Sequence, residues 1–87
     1  MDPRIYTLMD SLETSHWWFS ARRAIVEKII KQFDLSSDAR ILDAGCGTGG
    51  NLAMLSRYGQ VEAMELDDQA RQMANAKGFA RVLSGRL

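Results

Sequence analysis

The 87 residues predict an α/β fold in which a short parallel sheet follows two helices. Three observations carry that expectation. Two stretches of helical apolar period precede residue 37, three short apolar runs follow it, and helical segments of about ten residues separate those runs. Alternation of this kind implies right-handed βαβ crossovers and therefore parallel strands.

Asp2-Pro3 starts the first helix, an acidic cap before a proline preset for the first helical position. Ile5, Leu8, Met9 and Leu12 then fall at i, i+3, i+4 and i+7, one face of a short amphipathic helix. Glu13-Thr14-Ser15 separates it from the aromatic cluster His16-Trp17-Trp18-Phe19, where a second helix opens and runs to about Phe33. Ala21, Ile25, Ile29 and Phe33 recur every four residues, and Val26 and Ile30 widen the stripe. Lys28 and Lys31 lie off it and read as solvated, His16 reads as a helix-start hydrogen bonder, and Trp17 and Trp18 are expected to bury area.

After the polar connector Leu35-Ser36-Ser37-Asp38, the run Arg40 to Ala44 reads as a buried strand that empties into glycines. Asn51 to Tyr58 is expected to be helical with Leu52 and Leu55 inward and Gly59 as terminator. Val61 to Leu66 reads as a second strand, and Asp67-Asp68 caps a helix that runs to about Lys77 and stops at Gly78. Arg81-Val82-Leu83 reads as a third strand.

Eleven basic and eleven acidic residues cancel, and the arginines and lysines are scattered, so nothing favours a nucleic-acid or anionic-membrane partner. Cys46 is the sole cysteine, which excludes an internal disulfide and a multi-cysteine zinc site, and no metal is expected. No stretch approaches the roughly 20 apolar residues of a membrane span, and the start has no basic-then-apolar leader pattern. The expectation is a soluble, cytoplasmic domain.

The segment that carries chemistry is Ile41-Leu42-Asp43-Ala44-Gly45-Cys46-Gly47-Thr48-Gly49-Gly50-Asn51-Leu52. A strand that empties into glycines and then opens a helix lets a ligand approach the backbone where side chains would block it. Glu65 stands at the end of the next strand, where a carboxylate can accept both hydroxyl hydrogens of a ribose. Together they describe an adenosine-containing cofactor lying across the carboxyl ends of the first two strands. Gly45, Gly47 and Gly50 also satisfy the dinucleotide spacing G-x-G-x-x-G, so NAD or FAD, and with it an oxidoreductase, is the alternative. Asp43 argues against it: a negative charge there repels a pyrophosphate and suits the cationic amino group of a methionine. The two helices ahead of the first strand argue the same way. A non-catalytic nucleotide-binding module is a third reading.

Ile41 to Gly49 resembles the first motif of the class I S-adenosylmethionine-dependent methyltransferases, a hydrophobic pair followed by D-x-G-C-G-x-G. Val61 to Asp67 resembles the acidic motif that follows it, and His16-Trp17-Trp18-Phe19 with Arg22-Arg23 is similar to the leader of many small-molecule members. The resemblance covers nearly the whole chain. It implies a Rossmann-like partial parallel sheet of three strands in the order 3-2-1 behind a two-helix lid, the lid at 1–37 and the first half of the cofactor domain at 38–87, with the rest of the domain absent. It also implies S-adenosylmethionine as cofactor, S-adenosylhomocysteine as product, and methyl transfer to a small molecule in the complete protein, this chain being inactive alone. Asp43 would meet the methionine amino group, directly or through water. Gly45, Cys46, Gly47 and Gly49 would form the turn around the methionine portion, Glu65 would hold the ribose, Leu66 would pack on the adenine edge, and Arg22 or Arg23 would reach the methionine carboxylate. The chain departs from the pattern after the third strand, where Arg86 stands in the region of the usual adenine-contacting acid and no fourth strand follows. Catalytic residues therefore cannot be placed, and the unpaired edge of the first strand is expected to invite self-association.

Overall fold

The computed structural model describes residues 2–13 and 16–87, so Thr14 and Ser15, read as the break between the first two helices, lie outside it. The elements are α1 (Pro3–Glu13), α2 (Trp17–Lys31), β1 (Arg40–Ala44), α3 (Leu52–Ser56), β2 (Gln60–Met64), α4 (Asp68–Ala76) and β3 (Arg81–Leu83). The expected order of helices and strands is the order observed. The three strands form one parallel sheet in the order β1-β2-β3, which is the anticipated 3-2-1 arrangement viewed from its other edge.

Local signals act where the residues place them. The Asp2 carboxylate accepts from the Arg4 amide at 2.9 Å, His16 Nδ1 accepts from the Trp18 amide at 3.2 Å, and Asp67 accepts from the Ala70 amide at 3.0 Å. Each satisfies an amide that a helix start leaves without a partner. Gly78 ends α4 with φ +77°, a left-handed turn for which glycine is suited.

Register sorts the strand residues by face. Asp43, Ala63 and Val82 are neighbours across the sheet, as are Ile41 and Val61, and neighbours in register share a face. Leu52, Ala63, Ala74 and Val82 form the core on that side, with Cys46, Val61 and Ala80 packed against it. Two same-handed crossovers that step in one direction across a sheet place their helices on one face, and α3 packs on β2 while α4 packs on β3. The opposite face carries Leu42 and Leu83, both about half exposed, and the exposed ion pair Arg40–Glu62. α1 packs against α2 and α4, and α2 against α3.

Several expectations require correction. The α2 stripe does not face a core: Ile25, Ile29 and Phe33 are 60%, 48% and 69% exposed, and Trp17 and Trp18 are exposed as well. What ties α2 down is polar, the Glu27 carboxylate accepting from Tyr58 and Arg57 beyond α3. On α1 the docking side is likewise polar, while Ile5 and Leu8 face solvent. α3 is shorter than anticipated, because its last turn tightens into i→i−3 bonds from Arg57 and Tyr58. β2 ends at Met64 instead of Leu66, since Glu65 turns its carboxylate onto the Asp67 amide and bends the chain into α4. Gly59 acts by space instead of by a left-handed turn: a Cβ there would overlap the Ala39 carbonyl, which the Gln60 amide also needs.

Gly59→Ala is therefore expected to destabilise the chain by about 1–3 kcal/mol through overpacking against backbone that cannot move aside. Urea denaturation followed by circular dichroism measures it, with a lowered midpoint at unchanged slope as the expected result.

Candidate functional site

The site is built at the carboxyl ends of β1 and β2. After Ala44 the chain enters a turn in which Gly45, Gly47 and Gly49 take φ of +75°, +59° and +88°. Any other L-residue is strained at those angles. The turn is held to the next strand by its backbone, the Gly45 and Cys46 amides both donating to the Met64 carbonyl at 2.8 and 3.1 Å. Glu65 completes the join. Its Oε1 accepts from the Gly47 amide and its Oε2 from the Asp67 amide, each at 2.9 Å. An ionised carboxylate has about four lone-pair sites, so two remain for a ligand.

The glycines divide by what surrounds them. A Cβ at Gly45 or Gly47 would meet nothing within 4 Å, so those positions open to solvent. One at Gly49 would press on Leu52 and on Ala74 of α4, and one at Gly50 would overlap the Glu13 carboxylate. Gly49 thus lets α4 approach, and Gly50 lets α1 approach.

A cleft of about 360 Å³ opens between this turn and the two N-terminal helices, and Asp43, Gly45, Cys46, Gly47, Arg22 and Arg23 all line it. Six of the nine residues singled out from sequence therefore meet in one place. Gly49 lies buried beneath the turn, Glu65 sits behind it on the Gly47 amide, and Leu66 is exposed beyond it. The two arginines differ. Arg23 donates to the Gly50 carbonyl at 3.1 Å and to the Glu13 carbonyl at 2.9 Å, so its guanidinium is committed to backbone. Arg22 is exposed at the rim.

Electrostatics separate the two ionisable groups at the base of the cleft. Burial pushes the Asp43 carboxyl above its ordinary value. The Asp43 carboxylate accepts no hydrogen bond from the described residues, and burial is the one cause of its shift. Burial, with the Asp43 and Glu65 carboxylates nearby, pushes the Cys46 thiol up to about 11. A neutral thiol at physiological pH is neither nucleophile nor metal ligand, and among the described residues no group of histidine, cysteine and carboxylates is arranged to hold a metal ion.

Sequence reasoning missed five residues here. Glu13 is buried and its Oε2 accepts from the Thr48 hydroxyl at 2.8 Å, while Thr48 itself is fully buried in the turn. Lys77 donates to the Thr48 carbonyl at 2.5 Å and pairs with Asp10 of α1. Arg71 donates to the Glu65 and Leu66 carbonyls at 3.0 and 3.3 Å and supports the acidic loop from α4. All of these contacts join residues distant in sequence or side chain to carbonyl, for which no local pattern exists.

An unpaired, desolvated Asp43 sets a pH dependence. Its raised pKa means the folded chain holds the proton more tightly than the unfolded chain does, so ionisation favours unfolding. That contribution to stability is intact below the ordinary Asp range and is lost as pH rises through the folded value. Asp43→Asn is therefore expected to melt higher than the wild type at pH 7, with the difference shrinking as pH falls through the ordinary carboxylate range. Thermal melts at a series of pH values check it.

No family model matches the chain. A protein of Geobacillus sp. (strain WCH70) named as a methyltransferase is 33% identical over 67 residues, which are 76% of this chain and 27% of its own length. A TehB-like S-adenosylmethionine-dependent methyltransferase from Corynebacterium glutamicum superposes with a TM-score of 0.55 at 33% identity, covering 68% of this chain and 33% of the other. CalS10, an amino pentose methyltransferase from Micromonospora echinaspora solved with S-adenosylmethionine bound, superposes with a TM-score of 0.68 at 25% identity, over 93% of this chain and 34% of its own. The chain thus spans about a third or less of the length of each. With the D-x-G-C-G-x-G turn, the acid at the end of the second strand and the parallel sheet all in place, the chain is similar in sequence motifs and in fold to the corresponding part of the class I S-adenosylmethionine-dependent methyltransferases.

Proposed function

We propose that this chain binds S-adenosylmethionine in the cleft beside the glycine turn, and that in a complete protein it serves methyl transfer to a small-molecule acceptor. The observation that carries the reading is the pairing of an unpartnered, half-buried Asp43 with an open left-handed turn whose Gly47 amide is held by Glu65. Asp43 accepts from the methionine ammonium and thereby relieves its own desolvation. Arg22 meets the methionine carboxylate, because Arg23 is already occupied by two carbonyls. Glu65 accepts from the ribose hydroxyls with its remaining lone pairs, Leu66 covers the adenine edge, and Gly45, Cys46, Gly47 and Gly49 shape the turn. The bound sulfonium supplies an already activated methyl group. The protein's task is then to align acceptor and methyl, which can account for much of the rate without a general base.

The domain boundaries follow the same reading, with 1–37 as helical lid and 38–87 as the first half of the cofactor-binding domain. All-parallel sheets are almost always covered on both faces, whereas one face here presents Leu42 and Leu83 to solvent. The uncovered face, the free edge of β1 and the exposed α2 stripe are the surfaces on which the rest of a longer domain, or a second copy of this chain, would pack and add a strand. On its own the chain binds cofactor weakly and does not turn over. No helix among the described residues is long and apolar enough to cross a membrane, and a cytoplasmic location with neither nucleic acid nor membrane as partner fits the balanced charge and the lone cysteine.

A dinucleotide would place its pyrophosphate on the turn beside the Asp43 charge, and the relatives described above lend the oxidoreductase reading no support. Parallel calorimetric titrations with S-adenosylhomocysteine and NAD separate the two. The expected result is binding of the former only, weakened by about tenfold or more in Glu65→Ala, as loss of hydrogen bonds to a charged group implies. Binding of NAD alone would overturn the proposal.

A further inference from the structure

The polar side of α1 makes contacts that the cofactor reading alone does not require. Thr7, Asp10 and Glu13 recur every three residues along one side of the helix, and all three reach across to the α/β unit. The Thr7 hydroxyl accepts from Gln69 at 3.4 Å, Asp10 pairs with Lys77, and Glu13 accepts from Thr48 at 2.8 Å. Tyr6, one position further round, lies near Asp67 and Glu65. The two deepest contacts converge on a single residue of the glycine turn: Thr48 gives its hydroxyl to Glu13 and its carbonyl to Lys77, which in turn holds Asp10. Gly50 lies directly under the Glu13 carboxylate, where a side chain would collide with it. Arg23 of α2 closes the arrangement by bridging the Glu13 and Gly50 carbonyls.

We infer that Glu13 is a positioning residue for the cofactor turn, latching the N-terminal helix onto Thr48 so that docking of the lid and ordering of the turn are one equilibrium. The inference rests on the cofactor reading above and adds to it. Glu13 touches no reacting atom; it acts through Thr48 and the glycines on either side. The helix is docked through one buried hydrogen bond, one part-buried ion pair and one exposed hydrogen bond, while Ile5 and Leu8 face solvent and Met9 and Leu12 are only partly buried, so apolar burial contributes modestly to holding it. Losing its one buried side-chain hydrogen bond then shifts the helix toward release, with the Asp10–Lys77 pair and the Arg23 bridge left to hold it. A turn with three left-handed glycines is correspondingly free once released, since glycine has the most backbone freedom to regain. Ligand binding must then restrict that freedom again, and affinity falls by the fraction of molecules in which the lid is undocked.

The test is calorimetric titration of the chain with S-adenosylhomocysteine, at a temperature where circular dichroism finds each variant folded. Glu13→Ala is expected to weaken binding by about tenfold or more, and Thr48→Val by a similar factor. The double substitution is expected to be no worse than either alone, because both remove the same contact. Glu13→Gln, which keeps an acceptor oxygen for the Thr48 hydroxyl, is expected to remain within about threefold of the wild type. A purely structural role would lower the melting temperature of Glu13→Ala and leave the affinity of its folded form at the wild-type value; that result, in Glu13→Ala or in Thr48→Val, overturns the inference. Additive losses in the double variant would overturn it as well. Silence of the wild-type chain would instead sink the cofactor reading, and the inference with it.

Discussion

The Gly47 amide and the Glu65 carboxylate, 2.9 Å apart, join the loop after β1 to the loop after β2. Most of the site depends on that join. Gly47 can present its amide only because it and its neighbours Gly45 and Gly49 occupy left-handed backbone that other residues reach with strain. Glu65 can receive it only because β2 stops at Met64 and the same carboxylate caps the Asp67 amide as α4 begins. The two parallel strands bring these loops to one edge, since strands in register end at the same height. Asp43, two residues before Gly45, shares the core face with Ala63 and Val82, and this accounts for its burial. A carboxylate kept there without a partner lowers the stability of the ligand-free chain, a compromise typical of binding sites.

Helix–strand order, the caps at Asp2, His16 and Asp67, and the stop at Gly78 were legible because each depends on residues within a few positions of one another. The glycine turn was legible for the same reason, and so was the acid after the second strand. The parts that were not legible depend on what lies across space. Helical periodicity marks the α2 stripe as apolar without saying what covers it, and here Ile25, Ile29 and Phe33 stay exposed. On α1 the apolar period drew attention to Ile5 and Leu8, whereas docking runs through Asp10 and Glu13 on another side. Glu13 had no signal of its own, because its partner Thr48 is 35 positions away.

Gly50 illustrates how one glycine spacing can serve two different packing arrangements. Its spacing from Gly45 and Gly47 matches the dinucleotide fingerprint, in which the last glycine serves close helix–strand packing. In this chain the space it leaves is filled by the Glu13 carboxylate of the N-terminal helix, and it is Gly49 that lets α4 come close. The two helices ahead of β1 are therefore part of the site's construction. They line one wall of the cleft through Arg22 and Arg23, and they bear on the back of the turn through Glu13.

The central claim is that ligand binding is organised by the Gly47–Glu65 join. Titrating S-adenosylhomocysteine into ¹⁵N-labelled chain and following backbone amide shifts tests it most directly. The account predicts that the Gly45, Gly47 and Asp67 amides move together and saturate with one affinity, while those around Ser36, Tyr58 and Gln60, at the other end of the sheet, stay in place. Movement confined to that far end, with the Gly47 and Asp67 amides unperturbed, would contradict it.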